Sequence, residues 1–362
     1  KALSDVVTYE DDQEINYQTR VPFGVMVAIL AWNFPFANFA RSTTQALLAG
    51  NVVIIKYSEE IPLFAQLLEN LIAEVNIPEN IFNFVYGDGL TGKILCQQNI
   101  DFISFTGSSA TGQKIYKTAA HRLIPVELEL GGSSPGIVFA DCKIDDALVA
   151  AIFKLRFSNS GQFCTNLKRL LVHESLFAEI IDKLVAYVQT QKIGLPSEPT
   201  TVMGPLSCQR QLTLIEQQFN DAITKGAVVH CGGKQPQHLL GAYFEPTILS
   251  KISFDMRVWQ EEVFGPILPI IPFNTYEQAI DLANDTPYGL TAYVYTNSKQ
   301  LAEQAMNDIK AGCVQHNFCN YHRPENPFGG FKLSGLGRQK GLAGFEHVTQ
   351  TKIIAVEKTT KS

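Results

Sequence analysis

The chain has 362 residues, 46% of them hydrophobic and 18% charged, which is material for two packed domains. A net charge of −6, with no basic cluster interleaved with aromatics, argues against nucleic acid or an anionic membrane surface as the partner. No apolar run reaches the roughly 18 residues that span a bilayer, and no secretory signal is present.

The first half alternates strand and helix signals. Val25–Ala31 reads as a strand and Asn38–Leu48 as a helix; Asn51–Lys56 reads as a second strand. Leu63, Leu67, Leu71 and Val75 then recur every four residues, an apolar stripe along a helix that opens at Pro62. Ile81–Tyr86, Asp101–Phe105 and Pro125–Leu128 complete the strands, with helices expected at Leu90–Cys96 and Ala110–Ala120. Unalternated apolar strands joined by helices imply a parallel sheet covered on both faces. Ligands of such sheets bind beyond the carboxyl ends of the strands. Asn33, Lys56, Gly87, Thr106-Gly107-Ser108 and Glu129 all fall there.

A second α/β unit is expected from Gly131. Strands are read at Pro135–Ala140, Ile267–Ile271 and Thr291–Tyr295. Helices are read at Ala147–Leu155, Phe177–Gln191, Leu212–Lys225, Glu277–Ala283 and Gln300–Ile309. Asn326–Phe331 is a loop. Glu14–Arg20 and Thr351–Val356 are extended runs without a nearby partner, and such strands pair across subunit interfaces. The expected domains are an arm over 1–21, a cofactor domain over 22–130, a catalytic domain over 131–331 and a terminal segment over 332–362.

Seven scattered cysteines, with no CxxC pair and no metal-ligand spacing, point to a reducing compartment, read as cytoplasmic, and to no metal. Cys164 differs from the rest because it follows the small polar bend Ser158-Asn159-Ser160-Gly161. A thiol presented there can act as a nucleophile if nearby dipoles favour its thiolate. By itself it reads first as a buried apolar residue. Its company decides: Trp32-Asn33-Phe34-Pro35 and Glu129-Leu130-Gly131-Gly132 before it, Glu262-Val263-Phe264-Gly265-Pro266 after it.

From about Arg20 to the C-terminal end, these motifs resemble the NAD(P)-dependent aldehyde dehydrogenases in order and spacing. The resemblance implies a parallel Rossmann-like cofactor domain, an α/β catalytic domain and extended oligomerisation strands at the ends. It implies oxidation of a small-molecule aldehyde to an acid in two covalent stages, in a homodimer or homotetramer. Cys164 matches the nucleophile, Asn33 the oxyanion donor and Glu129 the base that activates the deacylating water. Glu127 shares the face of Glu129 and reads as the structural carboxylate of the two.

For the cofactor, NAD with NADP disfavoured, the matching positions are Trp32, Lys56, Ser58, Glu59, Gly87, Thr106, Gly107, Ser108, Glu262 and Phe264. Lys56 and Glu59 match the pair that holds the adenosine ribose, where a carboxylate repels a 2′-phosphate. The family usually has proline where this chain has Tyr57. Arg41, with Phe34, Phe163 and Phe328, matches substrate positions, and an arginine there occurs in branches acting on succinate semialdehyde and lactaldehyde. Ser158 and Asn166 depart from the succinate-semialdehyde pattern, which often has arginine and cysteine at those positions. The chain begins at Lys1, and the resemblance implies a substantial region ahead of the Arg20 position. Two other readings stand beside hydrolysis: a CoA-acylating semialdehyde dehydrogenase, or a shortened, inactive relative with a structural or binding role.

Overall fold

The computed structural model describes residues 3–75 and 77–358. In chain order the elements begin with β1 (Val6–Glu10), β2 (Glu14–Pro22), β3 (Val25–Leu30), α1 (Pro35–Leu48), β4 (Val52–Tyr57) and α2 (Pro62–Ala73). There follow β5 (Phe82–Phe84), α3 (Gly89–Leu95), β6 (Phe102–Thr106), α4 (Ser109–Ala120) and β7 (Val126–Glu129). Next come β8 (Ser134–Val138), α5 (Asp146–Phe157), β9 (Leu167–His173), α6 (Phe177–Gln189), α7 (Gln209–Thr224), β10 (Val228–Cys231) and β11 (Thr247–Ser250). The chain continues through α8 (Arg257–Gln260), β12 (Ile267–Phe273), α9 (Tyr276–Asn284), β13 (Tyr288–Gly289), β14 (Thr291–Tyr295), α10 (Lys299–Asp308) and β15 (Cys313–His316). It closes with β16 (Phe331–Lys332), β17 (Gly335–Leu336), α11 (Gly341–His347) and β18 (Thr349–Glu357). Contacts divide it into two compact units: residues 1–130, 322–329 and 335–362 form the first, and 131–321 with 330–334 form the second. The stretch 322–329 therefore groups with the first unit, although in chain order it follows residues 131–321.

In the first unit, β3 to β7 run parallel in the order β7-β6-β3-β4-β5, and β17 adds antiparallel to β7. Alternate residues of each strand feed opposite faces. Val27, Ile29, Ile103, Phe105, Val126 and Leu128 pack under α4, whereas Met26, Ala28, Leu30, Val53 and Ile55 pack with Ala46 of α1 and Ala65 and Leu68 of α2. This two-sided burial explains why the strands read as continuous apolar runs. The fold is α/β, as the sequence implies.

One expectation in this unit is corrected. The extended ends do have a partner within the chain: β2 and β18 pair antiparallel from Glu14↔Glu357 to Pro22↔Thr349, in a sheet of order β1-β2-β18. Pairs about 330 residues apart have no local sequence signal. The stripe on α2 points outward, for Leu63 is 79% exposed and Leu67, Leu71 and Val75 are also exposed, while Ala65 and Leu68 face the sheet. The inward side is apolar as well, for Phe64 and Ile72 pack partly buried against the same core.

The second unit holds a seven-stranded sheet of order β10-β11-β12-β9-β8-β14-β15, parallel except for β10. Helices α5 and α6 cover one face, with Leu170, Val172 and Ile270, and α9 and α10 the other, with Leu171, Ile271 and Val294. Its central strand β9, missing from the sequence reading, begins three residues after Cys164. Among the described residues no helix is long and apolar enough to cross a membrane, and none of their His, Cys, Asp and Glu side chains group so as to hold a metal ion.

Candidate active site

Each unit contributes its own group of the residues singled out above. In the second, α5 runs into a bend in which Asn159, Ser160 and Gly161 all take positive φ, at 51°, 55° and 78°. Three left-handed residues in succession are costly for side chains, and the surroundings hold them. Ser160 Oγ donates to Gly204 O at 2.8 Å, and Gln162 Oε1 accepts from Ser207 N at 2.9 Å. A Cβ on Gly161 would collide with Gly265 O, so this turn and the Glu262–Pro266 motif lie in direct contact. Cys164 leaves the bend into β9. Gly132, of the Gly131-Gly132 pair, approaches so closely that a Cβ there would strike Cys164 O. Thr165 O is fixed by Tyr293 Oη at 2.6 Å and Thr291 Oγ1 at 3.2 Å.

Glu262 is anchored by a residue the sequence reading missed. Lys168, on β9 and almost wholly buried, places Nζ 2.6 Å from Glu262 Oε1 and 4.9 Å from the centre of the Phe264 ring. The same Glu262 oxygen accepts from Gly132 N at 3.1 Å. Burial pushes the Lys168 ammonium down from its ordinary value, while Glu262 and the Cys164 sulfur pull it back up. The structure thus gathers Cys164, Lys168, Glu262 and Gly132, with Phe264 beside them. Asn166 instead serves the frame: its Nδ2 donates to Arg156 O at 2.9 Å.

In the first unit the polar residues lie at the strand ends as expected. Asn33 and Phe34 join β3 to α1, where Phe34 is the cap residue and Pro35 starts the helix. Lys56, buried at the end of β4, reaches Glu59 Oε2 at 3.4 Å. Tyr57 next to it is buried, and its Oη donates to Pro35 O at 3.1 Å, a tie that proline could not make. Ser58 N bonds Leu30 O, and Ser58 Oγ accepts from Glu60 N. Gly87 has φ 147° and a Cβ there would strike Thr91, so the turn before α3 accepts only glycine without strain. Ser108 caps α4 by accepting from Thr111 N at 3.3 Å, and Gly107 N is held by Glu129 O at 3.0 Å.

Glu129 is the last residue of β7. It is 4% exposed, and neither carboxyl oxygen has a hydrogen-bond partner among the described residues. Burial pushes its proton affinity well up and the neighbouring Glu127 adds to this, while Arg41 and Arg338 oppose it. Arg41 lies 5.0 Å over the buried Phe328 ring, and its Nη2 donates to Asn38 Oδ1 at 2.5 Å. Lys340 stands 6.0 Å from the same ring, and His322 packs on it with centroids 6.4 Å apart. Burial first, then Lys340 and Arg41, push the His322 imidazole down to about 4. Phe328 therefore carries a basic cluster, of which Lys340 and His322 were not singled out from sequence. Phe163 is partly buried in the second unit.

Cys164 thus follows a strained turn of the second unit, and in the first unit Glu129 ends a parallel strand with a bare, buried carboxyl. Residues 1–354 match the aldehyde dehydrogenase family, and the chain belongs to it. It is 39% identical over 340 residues to the peroxisomal aminoaldehyde dehydrogenase 1 of Pisum sativum, covering 93% of this chain and 67% of that one. It is 38% identical over 347 residues to the human 4-trimethylaminobutyraldehyde dehydrogenase, covering 94% and 70%. Among solved structures, the Mycobacterium tuberculosis aldehyde dehydrogenase complexed with NAD+ superposes with a TM-score of 0.93 at 36% identity, over 98% of this chain and 73% of that one. An E. coli NADP-dependent enzyme superposes at 0.94 and 32% identity, over 98% and 74%.

Proposed function

We propose that the chain oxidises a small aldehyde bearing a carboxylate, such as succinate semialdehyde, to the corresponding acid with NAD. The observation that carries the hydrolytic reading is Glu129, a buried carboxyl without a hydrogen-bond partner among the described residues. A structural carboxylate would be paired. One left bare at the end of a parallel strand is stored proton affinity, suited to a base that works in a dry site. CoA-acylating relatives commonly lack this glutamate.

The residues read as the dinucleotide site suit such a group. Lys56 and the part-exposed Glu59 offer a donor and an acceptor for a ribose. The start of α4, bare at Gly107 because a Cβ would strike the Phe105 ring, offers backbone N–H groups for a pyrophosphate. Trp32, Gly87 and Thr106 border this group, and Glu262 and Phe264 would meet the nicotinamide end. Glu59 disfavours a 2′-phosphate, which selects NAD. When bound, the cofactor accepts the hydride that leaves the aldehyde carbon.

In this reading the Cys164 sulfur bonds to the aldehyde carbon. The Asn33 side chain and the Cys164 N–H hold the oxygen as it gains charge. After oxidation to the thioester, a water oxygen bonds to the acyl carbon while its proton passes to Glu129. The carbon–sulfur bond then breaks and its electron pair returns to Cys164. Arg41 grips the substrate carboxylate, helped by the positive Lys340, and Phe34, Phe163 and Phe328 wall the chain. The same cluster disfavours the cationic aldehydes in the names of the pea and human relatives. A homodimer or homotetramer suits the exposed Val6, Val7 and Tyr9 of β1 and Ile353 of β18, and the cysteine usage suits the cytoplasm.

The test is formation of reduced nicotinamide by the purified chain with NAD or NADP. The panel holds succinate semialdehyde, a neutral aldehyde and a trimethylamino-aldehyde, with Cys164→Ala as control. Cysteine-dependent turnover that favours NAD and the acid semialdehyde is expected. A preference for the cationic aldehyde would remove the carboxylate, and turnover that survives Cys164→Ala would remove the mechanism.

A further inference from the structure

The mechanism uses one of two carboxyl groups on β7 and leaves the other idle. Val126 and Leu128 face α4, so Glu127 and Glu129 project side by side from the opposite face. Both are almost fully buried, yet their surroundings differ. Glu127 Oε1 accepts from Ser104 Oγ at 2.8 Å and from Gln339 Nε2 at 2.7 Å. Gln339 is itself pinned, through two backbone hydrogen bonds with Phe328 and a 3.3 Å side-chain bond to Ser42 Oγ. These donors are neutral and aim at a charged acceptor. Glu129 has no such donor among the described residues.

We propose that Glu127 is a positioning residue for the base: it carries the pair's negative charge in the resting chain and so keeps the proton on Glu129. This rests on the reading of Glu129 as the deacylation base. Two carboxyls on one buried face do not both ionise readily, and the first charge settles where donors receive it. Burial pushes Glu127 up to about 7, against which Gln339, Ser104 and Arg41 act, and pushes Glu129 further. The other charged groups on this face are Arg41 from α1 and Arg338 from the loop after β17, both of which favour ionised Glu129. His347 of α11, bonded to Val126 O, is held below its ordinary value by burial and Arg338. β6 contributes Ser104, and β17 contributes no titratable side chain. The charge on Glu127 thus makes Glu129 a stronger base that becomes available only at higher pH. Glu129 then takes the water proton as the oxygen adds to the thioester, and later releases it to solvent.

The experiment compares the first burst of reduced nicotinamide with the steady-state rate, across pH, for the full chain and its variants. Glu129→Gln should keep the burst and lose about a hundredfold or more in steady state; an unchanged steady state would remove the base itself, and the proposed function's last step with it. With that established, Glu127→Gln should move the rising limb of the steady-state rate down by about one to two pH units, from the coupling of two charges about 7 Å apart at intermediate dielectric. The burst should stay where it was. Glu127→Asp, which restores the charge, should bring the limb back. Gln339→Met, which removes a donor to Glu127, should move the limb in the same direction by less, and serves if Glu127→Gln does not fold. A limb unmoved in both variants, or moved as far by Glu127→Asp as by Glu127→Gln, would overturn the proposal.

Discussion

The two units bury charge in opposite ways. In the first, Glu127 and Glu129 lie on one face of β7 with neutral donors on one and none on the other. In the second, Lys168 and Glu262 make a direct ion pair at 2.6 Å. Like charges held together store proton affinity that chemistry can draw on, whereas opposite charges held together fix geometry. In the function proposed above, the first unit's pair moves a proton and the second's holds position beside Cys164.

Breaking the ion pair should have the larger effect. Lys168→Met removes a cation that is 1% exposed on its side chain and leaves the Glu262 carboxylate with the Gly132 N–H alone at that oxygen. An uncompensated charge there should cost about 3 kcal/mol of stability. The double variant Lys168→Met with Glu262→Leu should recover part of it, since the stranded carboxylate is gone while buried Arg156 loses the favourable charge of Glu262. Urea unfolding of the three proteins checks this, and a single-variant cost below about 1 kcal/mol would show that the pair behaves as a surface one.

The carboxyl pair should show itself in the pH dependence of stability. An acid whose proton affinity is raised by folding stabilises the fold below its unfolded value of 4.5, and that stability is lost as pH rises through its folded value, about 7 for Glu127. His322 works in the other sense. Its folded value is lowered from 6.5 to about 4, so its stability is present above 6.5 and lost as pH falls through 4. The two overlap and partly cancel, which is why the parent alone is uninformative. Relative to the parent, Glu127→Gln should gain on the order of 2 kcal/mol between pH 5 and 8. Parallel stability curves for the two proteins would mean that folding does not raise Glu127.

Much of this was legible in the residues. Five apolar strands of the first unit, and the polar residues at their carboxyl ends, follow from runs such as Val25–Leu30 and from what terminates them. Cys164, Glu129 and Glu262 were singled out because each stands in a motif. Lys168 was not, because a lysine in Leu167–His173 looks like a surface residue until its partner 94 positions away is known. The same lysine and its neighbour Arg169 hide β9 from any search for apolar runs, although both are buried. Gln339 and Glu127, 212 positions apart, were likewise separate until folded. Ion pairs and hydrogen bonds across such distances leave no period in a sequence, whereas burial on a strand or helix does.

The smallest expected effect tests the limit of that last rule. Leu63, Leu67 and Leu71 recur with a helical period, yet α2 turns them outward and rests on Ala65 and Leu68. Period alone identifies a stripe but does not say which way it faces. With Leu67 facing outward, Leu67→Ser should change the stability of this chain by less than about 0.5 kcal/mol, and Leu67→Lys should do the same while improving solubility by breaking up an exposed apolar strip. Leu68→Ala is the control for an inward position and should be plainly destabilising. Equal costs at 67 and 68 would mean that the stripe is covered in solution, and the helix would then owe its apolar face to packing after all.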